Sequence, residues 1–75
     1  MIYPNPNNGR FTIKTDLPIG KKDIAIFGVL GNELHFDLLQ ENMGFKVDLQ
    51  KSYKGVLFVR IKTKDIDMVS KLIIE

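Results

Sequence analysis

The residues of this chain that are best suited to chemistry are one histidine and a few carboxylates. His35 alternates with Glu33 and Asp37, which would place one imidazole and two carboxylates on one face of a strand. That set would make only a weak, open metal site. A catalytic triad needs a nucleophile, and the two serines, Ser52 and Ser70, lie outside any nucleophile-elbow pattern. We therefore interpret His35 as a solvated side chain and predict no catalytic or metal-binding residue.

The other carboxylates and the glycines favour structural interpretations. Asp48 falls near the end of a predicted strand. Asp65 and Asp67 flank Ile66 in a predicted turn, where aspartate side chains ordinarily bond their own backbone. The glycines form no phosphate-binding loop, because no helix N-terminus follows them. The sequence thus indicates neither an enzyme nor a cofactor.

Length and composition limit the fold and the partners. A chain of 75 residues forms one domain at most, here residues 1–75, and buries only about 60% of its unfolded surface. With no cysteine and 44% hydrophobic residues, apolar packing alone must hold it together. The net charge of +2, without a basic run, does not favour nucleic acid, and no stretch is long enough to span a bilayer.

The dominant hydrophobic period is two, which is typical of strands. Alternating segments predict six strands, near residues 11–13, 24–27, 34–38, 45–49, 56–62 and 68–75. Ile2–Tyr3 would add a seventh strand at an edge. A helix over Ile66–Glu75 is the weaker interpretation, because β-branched Ile73 and Ile74 favour extended backbone. Strands at roughly ten-residue spacing predict an antiparallel β-sandwich.

The first residues form a stiff lead-in to this sandwich. Pro4 and Pro6 fix φ and push Tyr3 and Asn5 towards extended backbone. The following stretch, which ends at Gly9, tolerates positive φ and permits a sharp turn. Such a lead-in suits a domain that is attached to another part of a longer protein.

Two surfaces stand out as candidates for binding. Phe27 and Phe58, expected to face outward beside Tyr3 and Tyr53, would form a patch for a sugar or a protein. Alternatively, they would cover the edge of a thin core or pack against the incoming chain of Tyr3–Pro6. The terminal strand, if it lies at an edge, would offer backbone groups to a partner strand. Completion of the sheet is its simpler role.

Four segments, in this order, resemble the C-terminal sorting domain of type IX secretion cargo proteins, found in Gram-negative Bacteroidota (type A, the Por secretion family). The segments are YPNP over residues 3–6 with Gly9 and Phe11, IAIF with LGNEL over 24–34, DL with KGVLFVRI over 48–61, and KLIIE over 71–75. Two positions depart from the family pattern. Leu57 stands where tyrosine is usual, and Gly28 stands where Asn or Asp is common, which predicts a looser hairpin.

The resemblance implies an immunoglobulin-like sandwich of about seven strands that acts as an address rather than as an enzyme. Its expected partners are an upstream cargo domain, the outer-membrane translocon that recognises it in the periplasm after Sec export, and a sortase-like surface protease that removes it. The cargo would reach the cell surface, commonly on lipopolysaccharide, or the medium. The implied site residues shape the lead-in, start a strand or form the terminal recognition strand: Pro4, Asn5, Pro6, Gly9, Gly55, Lys71, Leu72, Ile73, Ile74 and Glu75.

Two other classes of function remain open at this point. One is a carbohydrate- or protein-binding module that acts through Phe27, Phe58 and Tyr53, since the sandwich architecture serves many roles. The other is a structural or oligomerisation domain, a homodimer in which the apolar end strand pairs with its own copy.

Overall fold

The alternation of apolar and polar residues builds seven strands in a computed structural model that describes residues 2–3, 8–49 and 53–75. A 3-10 turn over Lys21–Asp23 precedes the third strand. The strands are β1 (Ile2–Tyr3), β2 (Arg10–Lys14), β3 (Ile24–Gly28), β4 (Phe36–Glu41), β5 (Gly44–Leu49), β6 (Gly55–Lys62) and β7 (Asp67–Ile74).

The strands form two sheets in which every pairing is antiparallel. Sheet A has the order β1-β2-β5-β4 and sheet B the order β3-β6-β7. The prediction of a small antiparallel β-sandwich is confirmed, with Ile2–Tyr3 as the seventh strand at an edge. The extended C-terminal segment is also confirmed as β7. In the described residues, no helix is long and apolar enough to cross a membrane.

The core lies between the sheets and takes alternate side chains from β2, β3, β5 and β6, together with Phe36 of β4 and Leu72 and Ile74 of β7. Burying a side chain of this size fully contributes roughly 1.5–3 kcal/mol to folding. Side chains with less than 2% exposure come from both sheets and include one on the last strand: Ile13, Ile26, Val47, Leu57, Val59 and Leu72.

The chain changes sheets within the segment predicted as one strand over 34–38. Glu33 bridges Phe27, and the Leu34 N–H donates to the Ile26 carbonyl at 2.7 Å, so both still belong to the side of β3. Phe36 then begins β4 in the other sheet. The prediction of one continuous strand is therefore wrong. Apolar and polar side chains keep alternating through the crossing, so the sequence pattern does not show that the pairing strand changes.

Two hairpin turns join paired strands. Glu41 and Gly44 pair across the β4–β5 hairpin, which leaves Asn42 and Met43 at its turn. In the β6–β7 turn, the Thr63 hydroxyl oxygen accepts the N–H groups of Asp65 and Ile66 at 3.2 and 3.1 Å. The local side-chain acceptor in this turn is thus a threonine, where aspartate was predicted.

We expect Leu72→Ala to lower the free energy of unfolding by about 3 kcal/mol, because it leaves a cavity beneath β7. Leu72 is 1% exposed, whereas its neighbour Ile73 is 44% exposed. The control Ile73→Ala should cost less than about 1 kcal/mol. Urea unfolding of both variants measures the difference, and equal losses would contradict the orientation of β7.

Candidate functional site

The described residues bring no catalytic set together around the histidine. His35 is exposed, as predicted, and lies just before β4 of sheet A, whereas Ser70 lies on β7 of sheet B. Ser52 falls outside the described residues. Within the described part of the chain, no group of three or more His, Cys, Asp or Glu side chains is placed to hold a metal ion.

The surface grooves of the described residues combine charged and apolar side chains. Near His35, the Lys21 ammonium lies 5.5 Å from the centre of the Phe36 ring, a cation–π contact at the protein surface. A groove of about 530 Å³ crosses the outer face of sheet A, where Arg10 Nε lies 3.3 Å from Asp48 Oδ2. Exposed pairs of this kind contribute little to stability.

The outer edge of sheet B is the feature that best fits recognition. β7 is an end strand, with β6 as its neighbour in the sheet. The opposite edge, along β3, is covered by its own chain: the Leu34 N–H bonds the Ile26 carbonyl, and the Gly28 N–H donates to the Asn32 carbonyl at 2.9 Å. An end strand displays backbone groups that another strand can pair with.

The predicted recognition strand has two different faces. Leu72 and Ile74 point inward, at 1% and 2% exposure. Lys71 and Ile73 lie on the outer face, and Glu75 is exposed just beyond the end of β7. We call residues 71–75 the closing strand, because they complete the core on one face and meet solvent on the other.

Two predicted glycines adopt backbone that other residues avoid. Gly55 opens β6 opposite Ile74 with φ +114°, and Gly9, just before β2, has φ +103°. The Gly9 carbonyl accepts the Leu49 N–H at 3.0 Å, which ties the lead-in to β5. The backbone predictions for both glycines are confirmed. Their role in recognition stays a prediction, and Pro4, Asn5 and Pro6 lie outside the described residues.

The aromatic patch proposed from the sequence is not assembled as expected. Phe27 and Phe58 pair across β3 and β6 on the outer face of sheet B, with ring centres 6.3 Å apart, and both are half-buried. Tyr53 packs against the core and donates its hydroxyl to the Val56 carbonyl at 2.7 Å. Tyr3 lies on sheet A. A shared patch of all four rings is therefore wrong, because the rings belong to different sheets and contacts.

The two departures from the family pattern have clear structural consequences. Leu57 is fully buried and serves only in apolar packing. Gly28 is closely packed: a Cβ atom there would lie 2.9 Å from both the Asn32 amide oxygen and the Tyr53 hydroxyl. The Gly31 N–H also donates to the Gly28 carbonyl at 3.0 Å. The hairpin is closed, contrary to the expectation of a looser one.

Sequence reasoning missed the most exposed apolar side chains near this hairpin. Val29 and Leu30 are 63% and 92% exposed at its turn. Their only signal in the sequence was the placement of two aliphatic residues between two glycines. The sequence predicted a hairpin there but not that its turn exposes these side chains.

The described residues form a small β-sandwich in which β7 is an end strand. The model of the secretion system C-terminal sorting domain, a class of sorting signals, matches residues 1–75. The chain belongs to this family and is a sorting signal domain for type IX secretion. It is a family of signals rather than of enzymes. The comparisons with curated proteins and with solved structures gave no match.

We expect Gly55→Ala to destabilise the fold by more than about 1 kcal/mol, because φ +114° is strained for alanine. Gly20→Ala is a matched control: neither position has an atom within 4 Å of the new methyl, and Gly20 has φ −134°. That change should be neutral or slightly stabilising. Thermal unfolding compares them, and equal melting temperatures would refute the positive φ at Gly55.

The β6–β7 hairpin has an ion pair that predicts a pH dependence. Arg60 donates two hydrogen bonds to the Asp67 carboxylate, at 2.9 and 2.7 Å. These bonds hold the pKa of Asp67 below its ordinary value of 3.8. A carboxyl with a lowered folded pKa contributes stability above the unfolded pKa, and that contribution is lost as pH falls through the folded pKa.

Asp67→Asn should therefore flatten the loss of stability below about pH 4. The effect will be small because both side chains are solvent-exposed. The measurement is the urea midpoint from pH 2 to 7. Asp65→Asn, in the same turn, removes a carboxylate without an ion pair among the described residues and serves as the control. Identical curves for wild type and Asp67→Asn would count against the pair.

Proposed function

We propose that the outer-membrane translocon of the type IX system binds this domain by adding a strand along the edge of β7. Residues 1–75 would be one domain, attached in the precursor to an upstream cargo. The domain would be recognised in the periplasm, and a sortase-like protease would then remove it at the cell surface. The cargo would remain on the surface or pass into the medium.

The observation that supports this proposal is the position of β7 at the edge of sheet B. In strand addition, main-chain hydrogen bonds supply affinity, and alternate side chains supply specificity. The outer-face residues Lys71 and Ile73 would supply that specificity. The inward residues hold the strand in place and are unavailable to a partner, since Leu72 and Ile74 are buried.

Deleting residues 71–75 is the simplest test, and we expect it to abolish export of a fused reporter. The deletion also removes Leu72 and Ile74 from the core, so lost export would have two explanations. A sharper variant changes the outer face alone. Lys71→Glu with Ile73→Glu replaces two exposed side chains and should preserve the fold.

We expect Lys71→Glu/Ile73→Glu to reduce reporter secretion at least about tenfold with an unchanged melting temperature, because hot-spot contacts dominate binding. Lys46→Glu/Leu39→Glu is the control, since these exposed residues form a comparable cross-strand pair on sheet A. Reporter in the medium and in the periplasm is measured for each. Normal secretion of the closing-strand variant would reject the proposal.

A further inference from the structure

A hydrogen-bonded turn displays two apolar side chains at the same end of sheet B as the last residues of the closing strand, with β6 between them. Val29 and Leu30, at 63% and 92% exposure, form what we call the apolar tip. The turn that holds them is closed at its base by the Gly31 N–H to the Gly28 carbonyl and by the Gly28 N–H to the Asn32 carbonyl. Apolar side chains in a fixed position and in contact with water are typical of a binding surface.

The base of the tip is braced against the start of β6. Gly28 is buried, and a side chain there would meet the Tyr53 hydroxyl at 2.9 Å. The same hydroxyl donates to the Val56 carbonyl. The tip is therefore fixed to sheet B before any partner arrives, which lowers the entropy lost on binding.

The strand register places the tip at the same end of the sandwich as the closing strand. Gly28 lies opposite Leu57, which in turn lies opposite Leu72, so these three residues form one row across sheet B. β3 and β7 cross this row in the same direction, because each is antiparallel to β6. The apolar tip comes after Gly28 in the chain, and half-exposed Ile73 comes after Leu72. Both segments therefore extend from the row towards the same end of sheet B.

We propose that the apolar tip is a second anchor for the partner that binds the closing strand. The inference rests on the proposed function and adds a specific requirement to it. The translocon would carry an apolar pocket that reaches this end of sheet B past β6 from the strand paired with β7, and this pocket would bury Leu30. Tip and closing strand would then form one continuous surface.

A second copy of this chain fits the tip less well. The groove on the outer face of sheet A is lined by four charged side chains, which a buried leucine would leave partly desolvated. These side chains are Arg10, Asp37, Lys46 and Asp48. The cleft beside His35 has a mainly polar lining, including Lys21, Lys22 and Glu33. The groove on sheet A also has apolar lining residues such as Leu38 and Leu39, but burying Leu30 against them would desolvate the four charges that flank them.

The test is secretion of a reporter fused to the whole chain carrying Val29→Ser/Leu30→Ser. Both positions are exposed, so the melting temperature should not change. Leu39→Ser/Met43→Ser is the control, since it removes two apolar side chains of 64% and 55% exposure from the β4–β5 hairpin. We expect at least about a tenfold loss of secreted reporter for the tip variant alone, with accumulation in the periplasm.

Parallel measurement of Lys71→Glu/Ile73→Glu separates this inference from the proposed function. Loss in both variants supports one continuous surface. Secretion of the tip variant at the control level overturns the inference, and the proposed function stands if the closing-strand variant is still defective. Loss in the tip variant alone overturns the shared surface. Sedimentation of the chain tests whether a second copy binds the tip. A dimer that dissociates in the Val29→Ser/Leu30→Ser variant would assign the tip to a second copy and overturn the inference.

Discussion

The burial of Leu72 and Ile74 is the constraint on which this structure depends. Among the described residues, both side chains belong to a strand with one neighbour in its sheet. Packing against the core must therefore supply the stabilisation that a second neighbouring strand would give. A domain of 75 residues has a stability of only about 5–10 kcal/mol. Two core side chains worth roughly 2 kcal/mol each are a large part of that total.

This constraint makes the fold and the signal inseparable under the proposed function. The same five residues complete the core through one face and meet the translocon through the other. An unfolded tail would have no edge, no fixed register and no apolar tip at the same end of the sheet as the closing strand. A translocon that binds this surface therefore distinguishes a folded sorting domain from an unfolded one without a separate check.

Much of the fold was predictable because apolar and polar residues alternate with a period of two along the strands of a sandwich. Phe11 with Ile13, and Leu57 with Val59, gave strands whose inward faces the structure confirms. The crossing between Leu34 and Phe36 was not predictable, since apolar alternation continues while the pairing partner changes. Register depends on contacts between distant segments, which a local pattern does not contain.

The candidate site was predictable to a similar degree. The sequence predicted a binding role for the last strand only if that strand lay at the edge of a sheet. Its position could not be predicted, because strand order is a property of the whole sheet. The apolar tip was missed, since Val29 and Leu30 have the composition of core residues and only tertiary structure shows them exposed. The aromatic patch failed for the same reason: Phe27 and Tyr3 lie on different sheets.

Amide hydrogen exchange along β7 of the chain is the most direct test of the central claim, that this strand pairs with β6 on one side and is an end strand among the described residues. In an antiparallel pair, residues alternate between positions that exchange hydrogen bonds with the neighbour and positions that do not. We predict that amides of residues 68–72 alternate between slow and fast exchange. Uniformly slow exchange would show a covered edge, uniformly fast exchange would show an undocked strand, and either result would contradict this account.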